Sequence, residues 1–255
     1  MKIQYASDLH LEFKDNARYL RDNPLLIAGD ILVLAGDIGY LGDDNYKNHP
    51  FWDQVSENYK QVLVVPGNHE FYKGYGLESL SEGHVEGIRE NVSWYYNQTV
   101  TINSIDFILT PLWSSILPQY HYWTEQAISD FRKIYADGQL LTAFRFNAEH
   151  EACLRFLKEA LKTESDNKRI VITHHLPTFI CMAEEYKNSV LNGAFVSEQY
   201  DLIHDNNIDY WIYGHSHRNM PPATINRTTL LCNQLGYVHH NEHLSFKHDA
   251  AISML

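Results

Sequence analysis

The chain has 255 residues, 44% of them hydrophobic, and a formal net charge of −12 at pH 7. That is apolar material enough for a full core without disulfide staples, and the acidity argues against a non-specific nucleic-acid surface, which needs clustered Lys and Arg. No uncharged apolar run approaches the roughly 18 residues of a membrane span.

In chain order, the strand-like run Ile3-Gln4-Tyr5-Ala6 leads into Asp8-Leu9-His10, and Ile31-Leu32-Val33-Leu34-Ala35 leads into Gly36-Asp37. Residues 46–60 read as a surface helix. Val62-Leu63-Val64-Val65 then runs into Gly67-Asn68-His69-Glu70, and a second surface helix is expected over 76–91. Residues 99–110 read as a hairpin turning through Asn103-Ser104. The longest helix is expected within 142–162, where Ala148, Ala152, Phe156 and Ala160 recur beside Cys153, Leu157 and Leu161, with Thr142 as its cap. Ile170-Val171-Ile172 leads into His174-His175. A short helix follows over 197–207, then Tyr210-Trp211-Ile212-Tyr213 leads into Gly214-His215-Ser216-His217, and 228–232 is a late strand. This alternation is that of a layered α/β fold, and the whole of 1–255 reads as one domain. Cys153, Cys181 and Cys232 are widely spaced and read as reduced thiols. With the N-terminus entering the first strand at once, no removable signal peptide is expected, so the expected location is cytoplasmic.

Five of these runs end in side chains that bind metals. In α/β sheets, ligands collect at the carboxyl ends of the strands, so the five motifs converge on one rim. Aspartate, asparagine oxygen and imidazole suit first-row divalent ions such as Mn, Fe or Zn, and the lack of cysteine disfavours a structural thiolate site. Asp8, His10, Asp37, Asn68, His174, His215 and His217 are too many ligands for one ion. They suit two ions sharing a carboxylate, an arrangement associated with phosphoryl and hydrolytic chemistry. Two divalent ions would also concentrate positive potential in an acidic chain where a phosphate must sit.

The ordered set resembles the calcineurin-like metallophosphoesterase superfamily, whose pattern is D-x-H, G-D, G-N-H, H and G-H-x-H. The resemblance spans residues 8–217. It implies a four-layer α/β/β/α sandwich and two divalent ions, with Mn the preferred occupant. One ion would be bound by Asp8, His10, Asp37 and His217, the other by Asp37, Asn68, His174 and His215, with Asp37 bridging. It also implies that a metal-bound hydroxide attacks phosphorus while His69 contacts the phosphate and protonates the leaving group. Of the adjacent pair, His174 is favoured as ligand because it follows the strand and Thr173, leaving His175 to packing or a supporting hydrogen bond.

The substrate is less sharply drawn. Protein phosphatases of this superfamily follow G-D with an aspartate-arginine-glycine segment. Here Gly36-Asp37 runs into Ile38-Gly39-Tyr40, so a protein phosphatase is disfavoured. The main reading is a phosphodiesterase or phosphatase acting on a small phosphate ester, with nucleotides among the candidates and long duplexes disfavoured. A nuclease of short or single-stranded ends is the alternative enzyme, and a non-catalytic scaffold of the same fold is the alternative class. Trp113, Tyr120, His121, Tyr122 and Trp123 invite a stacking role over the metals, although packing of a long connection onto the sandwich is the favoured reading. Arg132 is expected in a surface or structural ion pair, Glu70 as a cap of the following helix, and His239, His240 and His243 in a solvent-facing tail.

Overall fold

The computed structural model describes residues 1–80 and 82–254. Its first half comprises β1 (Lys2–Ala6), α1 (Lys14–Asp22), β2 (Ile31–Ala35), α2 (Pro50–Asn58), β3 (Gln61–Val65), β4 (His84–Arg89) and β5 (Val92–Tyr96). The second comprises β6 (Gln98–Ile102), β7 (Ile105–Leu109), α3 (His121–Ala127), α4 (Asp130–Lys133), a short hairpin of β8 (Tyr135–Ala136) and β9 (Gln139–Leu140), α5 (Ala143–Lys162) and β10 (Lys168–Ile172). It continues through α6 (Tyr200–Asp205), β11 (Tyr210–Tyr213), β12 (Ala223–Ile225) and β13 (Thr228–Cys232), and β14 (Ala251–Ser253) then returns to the first half.

Each half builds a six-stranded sheet, ordered β14-β1-β2-β3-β5-β4 and β12-β13-β11-β10-β7-β6. In both, the four inner strands run parallel and antiparallel strands close the edges. Parallel strands covered on both faces read as continuous apolar runs, and β2 shows how the two faces are used. Ile31, Val33 and Ala35 join Phe107, Leu109, Ile170, Ile172 and Ile212 in the core between the sheets. Leu32 and Leu34 point the other way and pack with Leu20 of α1 and with Trp52 and Val55 of α2. On the far side, Val171 and Trp211 pack against Phe156, Leu157 and Leu161 of α5 and Ile203 of α6. The layers are helix, sheet, sheet, helix: the expected α/β/β/α sandwich.

The hairpin turns where expected, with Asn103 and Ser104 both at positive φ (49° and 60°), as a tight turn between twisted strands requires. Thr142 caps α5 by accepting from the Arg145 amide at 3.2 Å. The helix expected over 46–60 starts later, at Pro50, which cannot donate to a preceding turn and so sits in the first one. The helix expected over 76–91 is wrong. The described residues of that segment hold a 3-10 turn, Leu77–Ser79, and the edge strand β4, which pairs antiparallel with β5 through a bulge. Glycines at 76, 83 and 87 oppose a helix there, and pairing with the aromatic strand Val92–Tyr96 decides the outcome. Cys153 and Cys181 are buried, Cys232 is half-buried, and all three are free thiols. Among the described residues, no helix is long and apolar enough to cross a membrane.

Candidate metal centre

The parallel strands of both sheets deliver their carboxyl ends to one rim. Backbone bonds stitch the loops together there: the amides of Asp8 and His10 donate to the carbonyls of Gly36 and Asp37, each at 2.9 Å. Asp8, His10, Asp37, His215 and His217 all have positive φ, from 48° to 78°. Residues other than glycine enter this region at a cost of order 1–3 kcal/mol, and such strain concentrates at functional sites. Gly36 turns the chain out of β2 at φ +90°, and a Cβ there would overlap the His174 ring.

All eight predicted site residues meet on this rim. Donor atoms of Asp8, His10, Asp37 and His217 lie within 4.8 Å of one another, and so do those of Asp37, His174 and His215. Asp37 is common to both groups, with Oδ2 at 3.7 Å from His10 Nε2 and Oδ1 at 3.4 Å from His174 Nε2. Asn68 joins the second group, its Oδ1 at 3.1 Å from His174 Nε2. Its amide nitrogen donates to Asp130 Oδ1 at 2.9 Å, which fixes the orientation of the side chain.

The outer nitrogen of each histidine is committed to a group that can only accept. His174 Nδ1 donates to the Ala35 carbonyl at 2.9 Å and His215 Nε2 to that of Ala194 at 3.2 Å. His10 Nδ1 donates to Glu12 at 2.9 Å and His217 Nδ1 to Glu242 at 2.7 Å. In a neutral ring the inner nitrogen then carries a lone pair, the tautomer that ligates a metal. Those inner nitrogens face one another: His10 Nε2 lies 3.0 Å from His217 Nε2, and His174 Nε2 lies 3.1 Å from His215 Nδ1. Two lone pairs at that distance repel, so each pair requires a proton or a metal ion to share. Burial alone would keep these rings neutral. In His174, Asp37 overrides it and pushes the ring up to about 9; in His217, Asp8 and Glu242 push it up to about 10. The donor set therefore fits divalent cations, in whose absence protons take their place.

His69 stands at the edge of this cluster. Its amide donates to Asp37 Oδ1 at 2.9 Å, its Nδ1 lies 2.9 Å from Glu12 Oε1, and its Nε2 lies 3.3 Å from the Tyr237 hydroxyl. The ring stacks on Tyr72, centroids 4.4 Å apart. His175 is excluded from the donors: both its ring nitrogens are buried without a partner, and it packs against His215 and Trp113 at 4.2 and 5.3 Å. Of the two roles expected for it, packing holds and the hydrogen bond is absent.

Several expectations about the surroundings are corrected. Glu70 does not cap a helix. Its carboxylate accepts from the amides of Asp37, Ile38, Gly39 and Gly67 and so ties the loop after β2 to the loop after β3. Among the described residues Arg132 makes no ion pair, and it donates to the Gln126 carbonyl at 2.7 Å. The aromatic segment divides: Trp113 is fully buried, Tyr122 and Trp123 are 63% and 62% exposed, and none of 111–123 lines the cavity over the donors. His239 and His240 are exposed as expected, but their segment is no free tail, because Tyr237 and Glu242 reach the site from it. Glu12, Asp130, Tyr237 and Glu242 went unnoticed in the sequence. Only Glu12 carried a signal, lying two residues beyond His10 in an extension of the Asp8/His10 spacing.

The profile of the calcineurin-like phosphoesterase family matches residues 1–219. An uncharacterized protein of Acanthamoeba polyphaga mimivirus is 29% identical, over 93% of this chain and 91% of its own. Among solved structures, the phosphopantetheinyl hydrolase of Mycobacterium tuberculosis superposes with a TM-score of 0.68 at 14% identity, covering 93% of this chain and 90% of that one. A dimetal phosphatase of Danio rerio gives 0.51 at 14% identity, covering 92% and 87%. At such identity the two structures speak for the fold alone. The family match extends over every donor at the rim, so the chain belongs to the calcineurin-like phosphoesterase family and is a metal-dependent phosphoester hydrolase.

Proposed function

We propose that the chain hydrolyses small phosphate esters at a two-metal centre for which Mn is the favoured occupant. One ion is assigned to Asp8, His10, Asp37 and His217, the second to Asp37, Asn68, His174 and His215. The observation that carries this assignment is the pairing of inner imidazole nitrogens at 3.0 and 3.1 Å with every outer N–H already committed. Carboxylate and imidazole donors together suit Mn as well as Fe or Zn.

When bound, two divalent ions supply Lewis acidity, offsetting phosphate charge and lowering the pKa of water towards neutrality. Asp37 keeps the two groups of donors in register by presenting one oxygen to each. His69 holds its Nδ1–H on Glu12 and turns Nε2 towards the cavity. From there it delivers a proton to the departing ester oxygen, general acid catalysis typically worth 10²–10⁴-fold. Tyr72 and Tyr237 keep the ring in place by stacking and by hydrogen bonding.

The test is hydrolysis of bis(p-nitrophenyl) phosphate by Mn-loaded protein, with bound metal measured by mass spectrometry. Asp37→Asn should lower occupancy at both positions and abolish turnover. His69→Ala should retain both metals and lose roughly 10²–10⁴-fold in kcat. Full turnover in Asp37→Asn, or loss of metal in His69→Ala, would contradict the roles assigned here.

A further inference from the structure

We infer that the substrate is a singly charged phosphodiester whose second ester group is neutral and largely apolar, bound against Ile128, Met182, Leu191 and Phe195. This rests on the two-metal phosphoesterase reading and specifies its substrate class.

The cavity above the donors has a volume of about 500 Å³. A phosphate alone needs far less, and cavities of roughly 300–1,000 Å³ accommodate drug-sized ligands. One wall carries Asp37, Asn68, His69, His215 and His217; the apolar wall is built by Ile128, after α3, and by residues of the long connection between β10 and α6. Phe195 is fixed there with its ring 4.8 Å from that of His215, so the apolar surface begins directly beside the donors. A substrate that filled only the phosphate position would leave this wall wet.

Charge narrows the choice further. The charged residue types lining the cavity are the acids Asp37, Asp130 and Glu242; among the described lining residues there is no Lys or Arg. The neighbouring cations are engaged elsewhere. Arg218 donates to Glu185 at 2.9 Å and to the Tyr186 hydroxyl at 3.0 Å, and Lys133 sits over the Tyr72 ring at 4.6 Å. Beyond the two metal ions and the protonated His69 ring, whose charge is already paired with Glu12 at 2.9 Å, no group among the described lining residues offsets the second negative charge of a phosphomonoester or the further charges of a polyphosphate. That charge would sit near carboxylates in a medium where such pairs interact strongly. A diester carries one charge, and its second organic group covers the apolar wall.

Three esters with one leaving group test this on the Mn-loaded protein: p-nitrophenyl phosphate, methyl p-nitrophenyl phosphate and phenyl p-nitrophenyl phosphate. kcat/KM should rise about tenfold from the monoester to the methyl diester, from charge, and about tenfold again to the phenyl diester, from burial. Leu191→Ser should lower kcat/KM for the phenyl diester about tenfold and for the methyl diester far less, closing the gap between them. Ser189→Arg, at an exposed position on the cavity rim, should narrow the gap between diester and monoester. Binding supplies an independent readout: diphenyl phosphate should raise the melting temperature at lower concentration than inorganic phosphate does. A monoester turned over as well as the methyl diester, or equal methyl and phenyl rates, overturns the inference while leaving the phosphoesterase reading intact. No turnover of any ester with two metals bound overturns both.

Discussion

A single carboxylate, Glu12, supports two histidines of the proposed centre, one assigned as a metal ligand and one as the general acid, and its replacement separates their contributions. Glu12 Oε1 lies 2.9 Å from His10 Nδ1 and 2.9 Å from His69 Nδ1. Burial alone would raise its pKa, yet His10 and His69 outweigh that and bring it down to about 2, so the carboxyl is ionised throughout any practical assay. Glu12→Gln removes the charge and keeps the shape. Hydrogen bonds to a charged partner contribute about 1.5–3 kcal/mol and neutral ones about 0.5–1.5 kcal/mol, so each histidine loses roughly 1–2 kcal/mol of support. On His10 this should weaken metal binding by about 10–100-fold, the usual range for a lost partner behind a ligand. On His69 it should lower kcat by about 5–30-fold when Mn saturates the site, since about 1.4 kcal/mol is tenfold. The loss should grow as the leaving group worsens, because a departing alkoxide needs the proton more than p-nitrophenolate does. The assay is kcat for p-nitrophenyl, phenyl and alkyl esters at saturating Mn, beside a Mn titration. Equal losses for every leaving group would show that Glu12 supports the metal ligand alone and does not serve the acid.

Two further changes probe the scaffold. Gly36→Ala meets both a positive φ and the His174 ring, whereas Gly138, at φ +74° with nothing within 4 Å of the added carbon, meets only the first. Gly138→Ala should cost about 1 kcal/mol and Gly36→Ala at least about 2–3 kcal/mol; equal losses in urea unfolding would remove the overlap with His174 from the account. Asp106 ties β7 to the connection before β10 by accepting from Thr101, Ser165 and Asn167 at 2.7, 2.7 and 2.8 Å. Burial would raise its carboxyl, but these donors outweigh it and hold the group below its ordinary value. A depressed folded value means stability that is present above the unfolded pKa and lost as the pH falls through the folded one. Asp106→Ala should therefore cost about 1–2 kcal/mol at neutral pH, and its deficit should shrink on acidification below about pH 4. A deficit that stays constant from pH 7 to pH 3 would show that the carboxylate charge is not what matters.

The donors were legible in the sequence because each is a local signal, a chelating side chain just past an apolar run, and the sheet does the rest by aligning strand ends. α5 was legible for the same reason, its stripe and its cap at Thr142 being contained in one segment. What escaped depends on distance. Glu242 and Tyr237 reach the site from residues that follow the last motif, and nothing near them advertises a partner at His217 or His69. Asp130 was passed over for its neighbour Arg132, the more conspicuous phosphate binder, although Asp130 is the one that orients Asn68. Glu70 was assigned to the nearest helix, since the amides it accepts from include three that lie about thirty residues earlier. The segment 76–91 failed for a related reason: the composition of an edge strand is ambiguous, and its partner β5 resolves it only in three dimensions.

Strain at the rim leads to one more expectation. Five proposed ligands sit at positive φ, at about 1–3 kcal/mol each, which together is comparable with the 5–15 kcal/mol net stability of an ordinary domain. The geometry survives because other contacts over-determine it. The His215 amide is held by the Asp8 carboxylate at 3.0 Å and the His217 amide by Gln234 at 2.7 Å, while Glu70 gathers four more. A site held open in this way is organised before metal arrives, and binding then stabilises only the folded state. At a hundredfold excess of Mn over its dissociation constant the gain is about 2.7 kcal/mol for each ion, and at this chain length each kcal/mol moves the melting temperature by about 2–4 °C. Two ions should therefore raise it by about 10–20 °C, and Asp37→Asn, which disturbs both positions, should flatten the response. A melting temperature indifferent to Mn, with two ions bound by mass spectrometry, would mean that the unfolded chain binds them equally well and that the rim is not pre-organised.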